Sequence, residues 1–171
     1  NELSEKFPET IPMSNSELKG WITKQKKGDV DQISELIIKA SQSYLPEYQE
    51  FWKLLSEEDI RVLNSHELIS IANHSSFHYS HLKMAKNEIE KDVEECAAYV
   101  DSLGSPYSKV FAYPFGHYSD ETIIQLKELG YQIQFSAEGN PNIQNGTTDR
   151  LFANPFVSLR NQLISIQNGK Y

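Results

Sequence analysis

The chain has no excess of positive charge: 16 Lys and Arg stand against 24 Asp and Glu, a formal net charge of −8 over 171 residues. Nucleic acid and anionic membrane surfaces both require clustered basic charge, so neither is expected as the main partner. Long hydrophobic runs are missing as well. None approaches the roughly 18 apolar residues of a membrane helix, and no membrane span is expected. No signal-peptide pattern opens the sequence, which starts at Asn1 rather than at a methionine. The single cysteine, Cys96, has no partner for an internal disulfide, so nothing here requires an oxidising compartment. Internal repeats and low-complexity tracts are absent too. What is present is material for a core. A hydrophobic fraction of 39%, with 8 Phe, 2 Trp and 9 Tyr, is too rich for a disordered chain, and 171 residues suffice for one domain.

The sequence divides near residue 55. Residues 1–55 read as an irregular opening followed by helices. Pro8 and Pro12 interrupt the first dozen residues, since each removes a donor and restrains its predecessor. A short helix is expected over 16–24, with Leu18, Trp21 and Ile22 on one face, and three lysines at its end read as a solvated terminus. A better helix is expected over 29–43, where Val30, Ile33, Leu36, Ile37 and Ala40 recur at helical spacing. Pro46 breaks it, and a third helix is expected over 47–55, with Tyr48, Phe51, Trp52 and Leu55 as packing residues.

Residues 56–171 alternate between strand and helix signals. Ser56 with Asp59 three residues on forms a capping box. Residues 68–72 make a short apolar run compatible with a buried strand. A long amphipathic helix is expected over 83–103, its inward face carrying Ile89, Val93, Cys96, Ala97 and Val100, with Gly104 as its stop. Cys96 on that face reads as a small buried hydrophobe. Strands are expected at 110–113 and 131–136, separated by a helix over 120–129 that Ser119 caps and Gly130 ends. A polar loop at 138–148 and weaker strands at 151–157 and 163–166 complete the pattern. Alternation of this kind implies an α/β arrangement with mostly parallel pairing. Active sites in such folds lie at the carboxyl ends of strands, where His74 and the Pro114 turn both fall.

His74 and His78, separated by three residues directly after a strand, can converge on one metal ion, since imidazole suits zinc and similar divalent ions. Ordinary hydrogen-bonded loop histidines would give the same spacing. Here the sequence resembles a known family. His74-Ser75-Ser76-Phe77-His78 followed by Leu82 resembles the H-S/T-x-x-H motif of the polysaccharide deacetylases with the NodB homology domain, carbohydrate esterase family 4-like. Phe111-Ala112-Tyr113-Pro114-Phe115-Gly116 resembles that family's aromatic strand ending in Pro-Tyr/Phe-Gly, and Gly130-Tyr131 opens the next strand in the same order. The resemblance covers roughly residues 56–157.

The resemblance implies a NodB-type irregular (β/α) barrel and a hydrolase that removes acetyl groups, by cleaving amide C–N bonds, from an N-acetylated sugar or polysaccharide. It implies His74 and His78 as two of three protein ligands to a divalent metal, zinc foremost, which would activate a water. It places the backbone N–H of Phe115 at the oxyanion. Tyr113, Pro114, Phe115 and His117 would line the sugar site, with strand-end packing as the other role open to Tyr113 and Phe115. Ser75 is expected to orient the loop, as no base is paired with it.

The chain departs from the family in three places. The family's first motif, which supplies the catalytic base and third metal ligand as adjacent aspartates, has no counterpart, for no Asp-Asp pair occurs. Ala112 stands where an arginine is usual. No histidine follows His117, so the general acid also lacks a counterpart, unless His117 substitutes. His66 and His81 read as surface residues. The expectation is a domain lacking its first strands, supplied by a missing amino-terminal segment, with residues 1–55 holding a helical insertion before the His motif. The alternatives are a degenerate, non-catalytic module that binds glycan or an assembly partner, and an unrelated metallohydrolase.

Overall fold

A computed structural model describes residues 2–41, 54–104, 107–137, 147–149, 158 and 160–161. The helices that precede the sheet are α1 (Glu2–Lys6), α2 (Asn15–Ile22), α3 (Lys27–Ser41) and α4 (Glu57–Asn64), with a 3-10 turn at Pro8–Thr10. α2 and α4 begin for the same local reason. Ser14 and Ser56 each accept the N–H three residues on, while Glu17 and Asp59 reach back to the cap N–H at 2.8 and 2.9 Å. Each reciprocal cap satisfies N–H groups that have no acceptor within the helix.

Four parallel strands follow in spatial order β1 (Ala72–Asn73), β2 (Ser108–Ala112), β3 (Ile133–Ser136) and β4 (Thr147–Asp149). Parallel neighbours need a crossover. Helix α5 (Lys86–Ser102) supplies it between β1 and β2, and α6 (Asp120–Glu128) between β2 and β3. Because every pair is parallel, all four carboxyl ends lie along one edge of the sheet. The protein is therefore mixed α/β with a small parallel sheet.

The core joins both crossover helices to β2. Ile89 and Val93 of α5, Phe111 and Tyr113 at β2, Ile123 and Leu126 of α6, and Tyr131 form one buried cluster. Burying each such side chain contributes about 1.5–3 kcal/mol. In α3, Ile33 is buried as its helical spacing predicts.

The described residues correct some expectations. The apolar run at 68–72 is not a buried strand: Leu68 and Ile69 are exposed, and pairing with β2 begins only at Ala72. Thr147 and Thr148, expected in a loop, pair with Gln134 and Phe135 instead. The helix expected over 47–55 leaves Leu54 and Leu55 outside any helix, and its remainder lies outside the described residues. The strands expected at 151–157 and 163–166, and most of the 138–148 loop, also lie outside them.

Candidate functional site

His74 leaves β1 at its carboxyl end, and its Nδ1 lies 2.6 Å from the carbonyl oxygen of Ala112, the last residue of β2. A carbonyl only accepts, so Nδ1 carries the proton and Nε2 of the neutral ring keeps its lone pair. Metal-ligating histidines take this arrangement, one nitrogen donating to a carbonyl and the other free for the ion. The His78 ring stands edge-on to that of His74, with centroids 4.8 Å apart at 78°. It also lies 4.6 Å from the Phe115 ring, at 79°.

The loop carrying the pair is strained. Ser75 and His78 adopt φ of +69° and +57°. Left-handed backbone costs a non-glycine residue about 1–2 kcal/mol and persists where surrounding structure over-determines it. Across the site, Phe115 adopts φ of +57° in the 3-10 turn Pro114–Gly116. Gly116 N–H donates to Tyr113 O and His117 N–H to Pro114 O, at 3.0 and 3.1 Å. Among the described residues the Phe115 N–H donates to no backbone acceptor.

Four aromatic rings thus run in contact from the β1 loop to the β2 turn. His117 completes the row, its ring 5.7 Å from that of Phe115 and its Nδ1 2.9 Å from Ser80 Oγ. Phe115 is exposed and His117 half-buried. Tyr113 and Pro114 lie beneath them, fully buried. The Tyr113 ring packs on Phe111 and Tyr118, and its hydroxyl donates to Gln134 Oε1. Of the four residues expected to line a sugar site, Phe115 and His117 are therefore the ones that reach solvent. Burial pushes the Tyr113 hydroxyl above the usual phenol range.

Two polar groups that the sequence reading did not single out hold the loop from below. Asn73 is buried; its Nδ2 donates to Val93 O and Tyr131 Oη, both at 2.9 Å, and its Oδ1 accepts Ser75 N–H at 2.9 Å. Asp92 of α5 is buried and accepts the N–H groups of Ser76 and Phe77. Burial works against its charge, but the facing His81 ring, the Ser75 hydroxyl and the Phe77 N–H outweigh it and hold the carboxyl below the usual range. A signal for Asp92 exists in the sequence: it is the one charge in the stripe Ile89, Val93, Cys96, Val100.

His81 corrects an expectation. It is not a surface residue; its ring is wholly buried, stacked on Phe111 at 5.3 Å and edge-on to Tyr113 at 6.0 Å. His66 is exposed, its Nδ1 accepting Leu68 N–H at 3.2 Å. Burial raises the Cys96 thiol against a weaker, opposing hydrogen bond to the His74 backbone, which is the reverse of what a nucleophilic thiol needs.

The donor set fits a divalent ion in part. Two imidazoles stand together with one held in the ligating tautomer, but no third His, Cys, Asp or Glu joins them among the described residues. The pre-sheet helices also touch the site. Tyr79 Oη donates to Asp31 of α3, and Lys27 Nζ lies 5.8 and 5.5 Å above the Phe77 and Tyr79 rings.

Fold and site together define a parallel α/β protein with an imidazole pair and a strained Pro-Phe-Gly turn at the carboxyl ends of neighbouring strands. The family model for polysaccharide deacetylases matches residues 22–134, and the chain belongs to that family. A crystal structure from Bacillus anthracis, designated a polysaccharide deacetylase, superposes with a TM-score of 0.54 and 22% identity over 66% of this chain. At that identity the likeness is one of fold. The chain spans 36% of the length of that protein. No curated protein matches it.

Proposed function

We propose that this chain carries the metal-binding half of a deacetylase that removes acetyl groups from an N-acetylated sugar or polysaccharide. The observation that carries the reading is the His74 imidazole, oriented by the Ala112 carbonyl beside the His78 ring. In this reading His74 and His78 hold a divalent metal, zinc foremost, and the third ligand and the catalytic base come from residues outside this sequence. When bound, the metal supplies Lewis acidity and lowers the pKa of a coordinated water.

The chain's own residues then do the following. The Phe115 N–H donates to the acetyl oxygen as it gains charge; a preorganised donor of this kind contributes about 3–4 kcal/mol. The exposed Phe115 ring offers an apolar face to the sugar, and His117, oriented by Ser80, offers its second ring nitrogen at the rim. Tyr113 and Pro114 support the turn from inside. The parallel sheet belongs, on this reading, to an irregular (β/α) barrel. Residues 56–171 form its catalytic domain, and residues 1–55 a helical insertion whose α3 contributes Asp31 and Lys27 beside Tyr79 and Phe77.

The test uses the full-length gene product. It is expected to release acetate from N-acetylglucosamine oligomers, to lose activity to chelators, and to lose it in His74→Ala. Absence of metal affinity together with full activity in His74→Ala overturns the reading. Glycan binding that chelators leave untouched, without acetate release, replaces it with a non-catalytic module.

A further inference from the structure

The metal-site reading leaves a buried ionisable pair unused. Asp92, in the middle of α5, is 3% exposed, and His81, in the 3-10 turn that follows the His motif, is 2% exposed. Asp92 Oδ2 faces His81 Nε2 at 3.6 Å. Neither His81 ring nitrogen nor Asp92 Oδ2 has a hydrogen-bond partner among the described residues.

The other oxygen of Asp92 has a specific task. The N–H groups of the loop between the two histidines all go to side chains. Ser75 N–H donates to Asn73 Oδ1 at 2.9 Å, and Ser76 and Phe77 N–H both donate to Asp92 Oδ1 at 3.1 Å. His78 N–H donates to Ser75 Oγ at 2.9 Å. A loop with two left-handed non-glycine residues keeps its shape only if something over-determines it. Here that something is three side chains, and Asp92 alone takes two of the four bonds. His81 fixes the far end: its ring is stacked on Phe111 while its Nε2 faces the same carboxylate.

Stability alone does not account for the pair. Apolar side chains of similar volume often serve a buried position as well as an ion pair does. An apolar residue at 92 could not accept two backbone N–H groups. We infer that Asp92, backed by His81, is a positioning residue for the imidazole pair: it fixes the segment between His74 and His78 and so holds the two rings at their 4.8 Å separation. Its consequence for metal binding rests on the reading under Proposed function; its consequence for loop geometry does not.

The experiment is NMR on the labelled chain, first without metal and then titrated with Zn²⁺, for the wild type and Asp92→Ala, Asp92→Val and Asp92→Asn. Asp92→Val keeps the volume filled in case Asp92→Ala does not fold. Both are expected to speed amide exchange at Ser76 and Phe77 about tenfold or more relative to the core and to weaken the His74–His78 ring cross-peak. Zn²⁺ affinity should fall about 10–100-fold, the usual effect of losing an outer partner of a metal site. Asp92→Asn, which retains one acceptor oxygen, should recover most of each loss. A variant whose melting temperature falls while Ser76 and Phe77 exchange, the ring cross-peak and Zn²⁺ affinity stay as in the wild type overturns the inference. Should this chain, which supplies two of the three ligands, bind no Zn²⁺, exchange and ring geometry alone decide the positioning role.

Discussion

Substituting Gly116 by Ala tests how tightly the Pro-Phe-Gly turn is seated against the sheet. Gly116 has φ of +76°, and a Cβ there would lie 2.8 Å from Ala137 N, 2.9 Å from Ala137 Cβ and 3.2 Å from Ala137 Cα. The left-handed backbone costs a non-glycine residue about 1–2 kcal/mol. The neighbour is backbone at the end of β3 and cannot swing aside, so overpacking adds about 1–3 kcal/mol. Two internal controls separate these contributions. Gly104 and Gly130 also have positive φ, +66° and +94°, yet a Cβ at either meets nothing within 4 Å. Gly104→Ala and Gly130→Ala should therefore cost the conformational part alone, about 1–2 kcal/mol. Urea unfolding with matched slopes reads the difference directly. Gly116→Ala is expected to exceed both controls by about 1–3 kcal/mol. A cost equal to that of Gly130→Ala would refute the close approach.

The remaining expectations concern buried polar groups. Tyr113→Phe removes the donor to Gln134 Oε1 in a fully buried setting and should cost about 1–3 kcal/mol; a cost below about 0.5 kcal/mol would show that the bond is dispensable. The Tyr79 hydroxyl is pushed up to about 12 by burial and by its hydrogen bond to Asp31. A phenol that ionises later when folded leaves stability intact below about pH 10 and erodes it as pH rises towards 12. Ultraviolet titration should show this late transition vanish in Tyr79→Phe and fall towards 10 in Asp31→Asn; a Tyr79 transition near 10 in the wild type sinks it. Asp92 carries the opposite sign. Its depressed carboxyl contributes stability that is complete above the ordinary aspartate value of about 3.9 and is lost as pH falls through the lower folded value. The stability gap between wild type and Asp92→Asn should thus hold steady from pH 7 to 5 and narrow below about 4, and a gap that widens there contradicts the bonding described.

What could be read from the sequence follows the range of the interactions. Capping boxes and helix stops are local, so Ser56 with Asp59, the Ser119 cap, and Gly104 and Gly130 all stand where their patterns put them. Strand limits depend on a distant partner. The run at 68–72 looks like a strand, yet only Ala72 and Asn73 find partners on β2, and Thr147 becomes a strand because Gln134 is opposite it. His81 looks like a surface residue for the same reason: Phe111 and Tyr113, which bury it, come from thirty residues further on. The spacing of His74 and His78 was visible, but the Ala112 carbonyl that selects the His74 tautomer was not. Period alone could not have separated the Tyr113 and Phe115 assignments. Side chains alternate along a strand, so Tyr113 shares the inward face with Phe111 and belongs to the core. Phe115 would face inward by the same count. It reaches solvent because its left-handed φ breaks the alternation. The strain at Phe115 is therefore what turns a core-facing position into one that reaches solvent, and the glycine that follows it is what lets the turn close against β3.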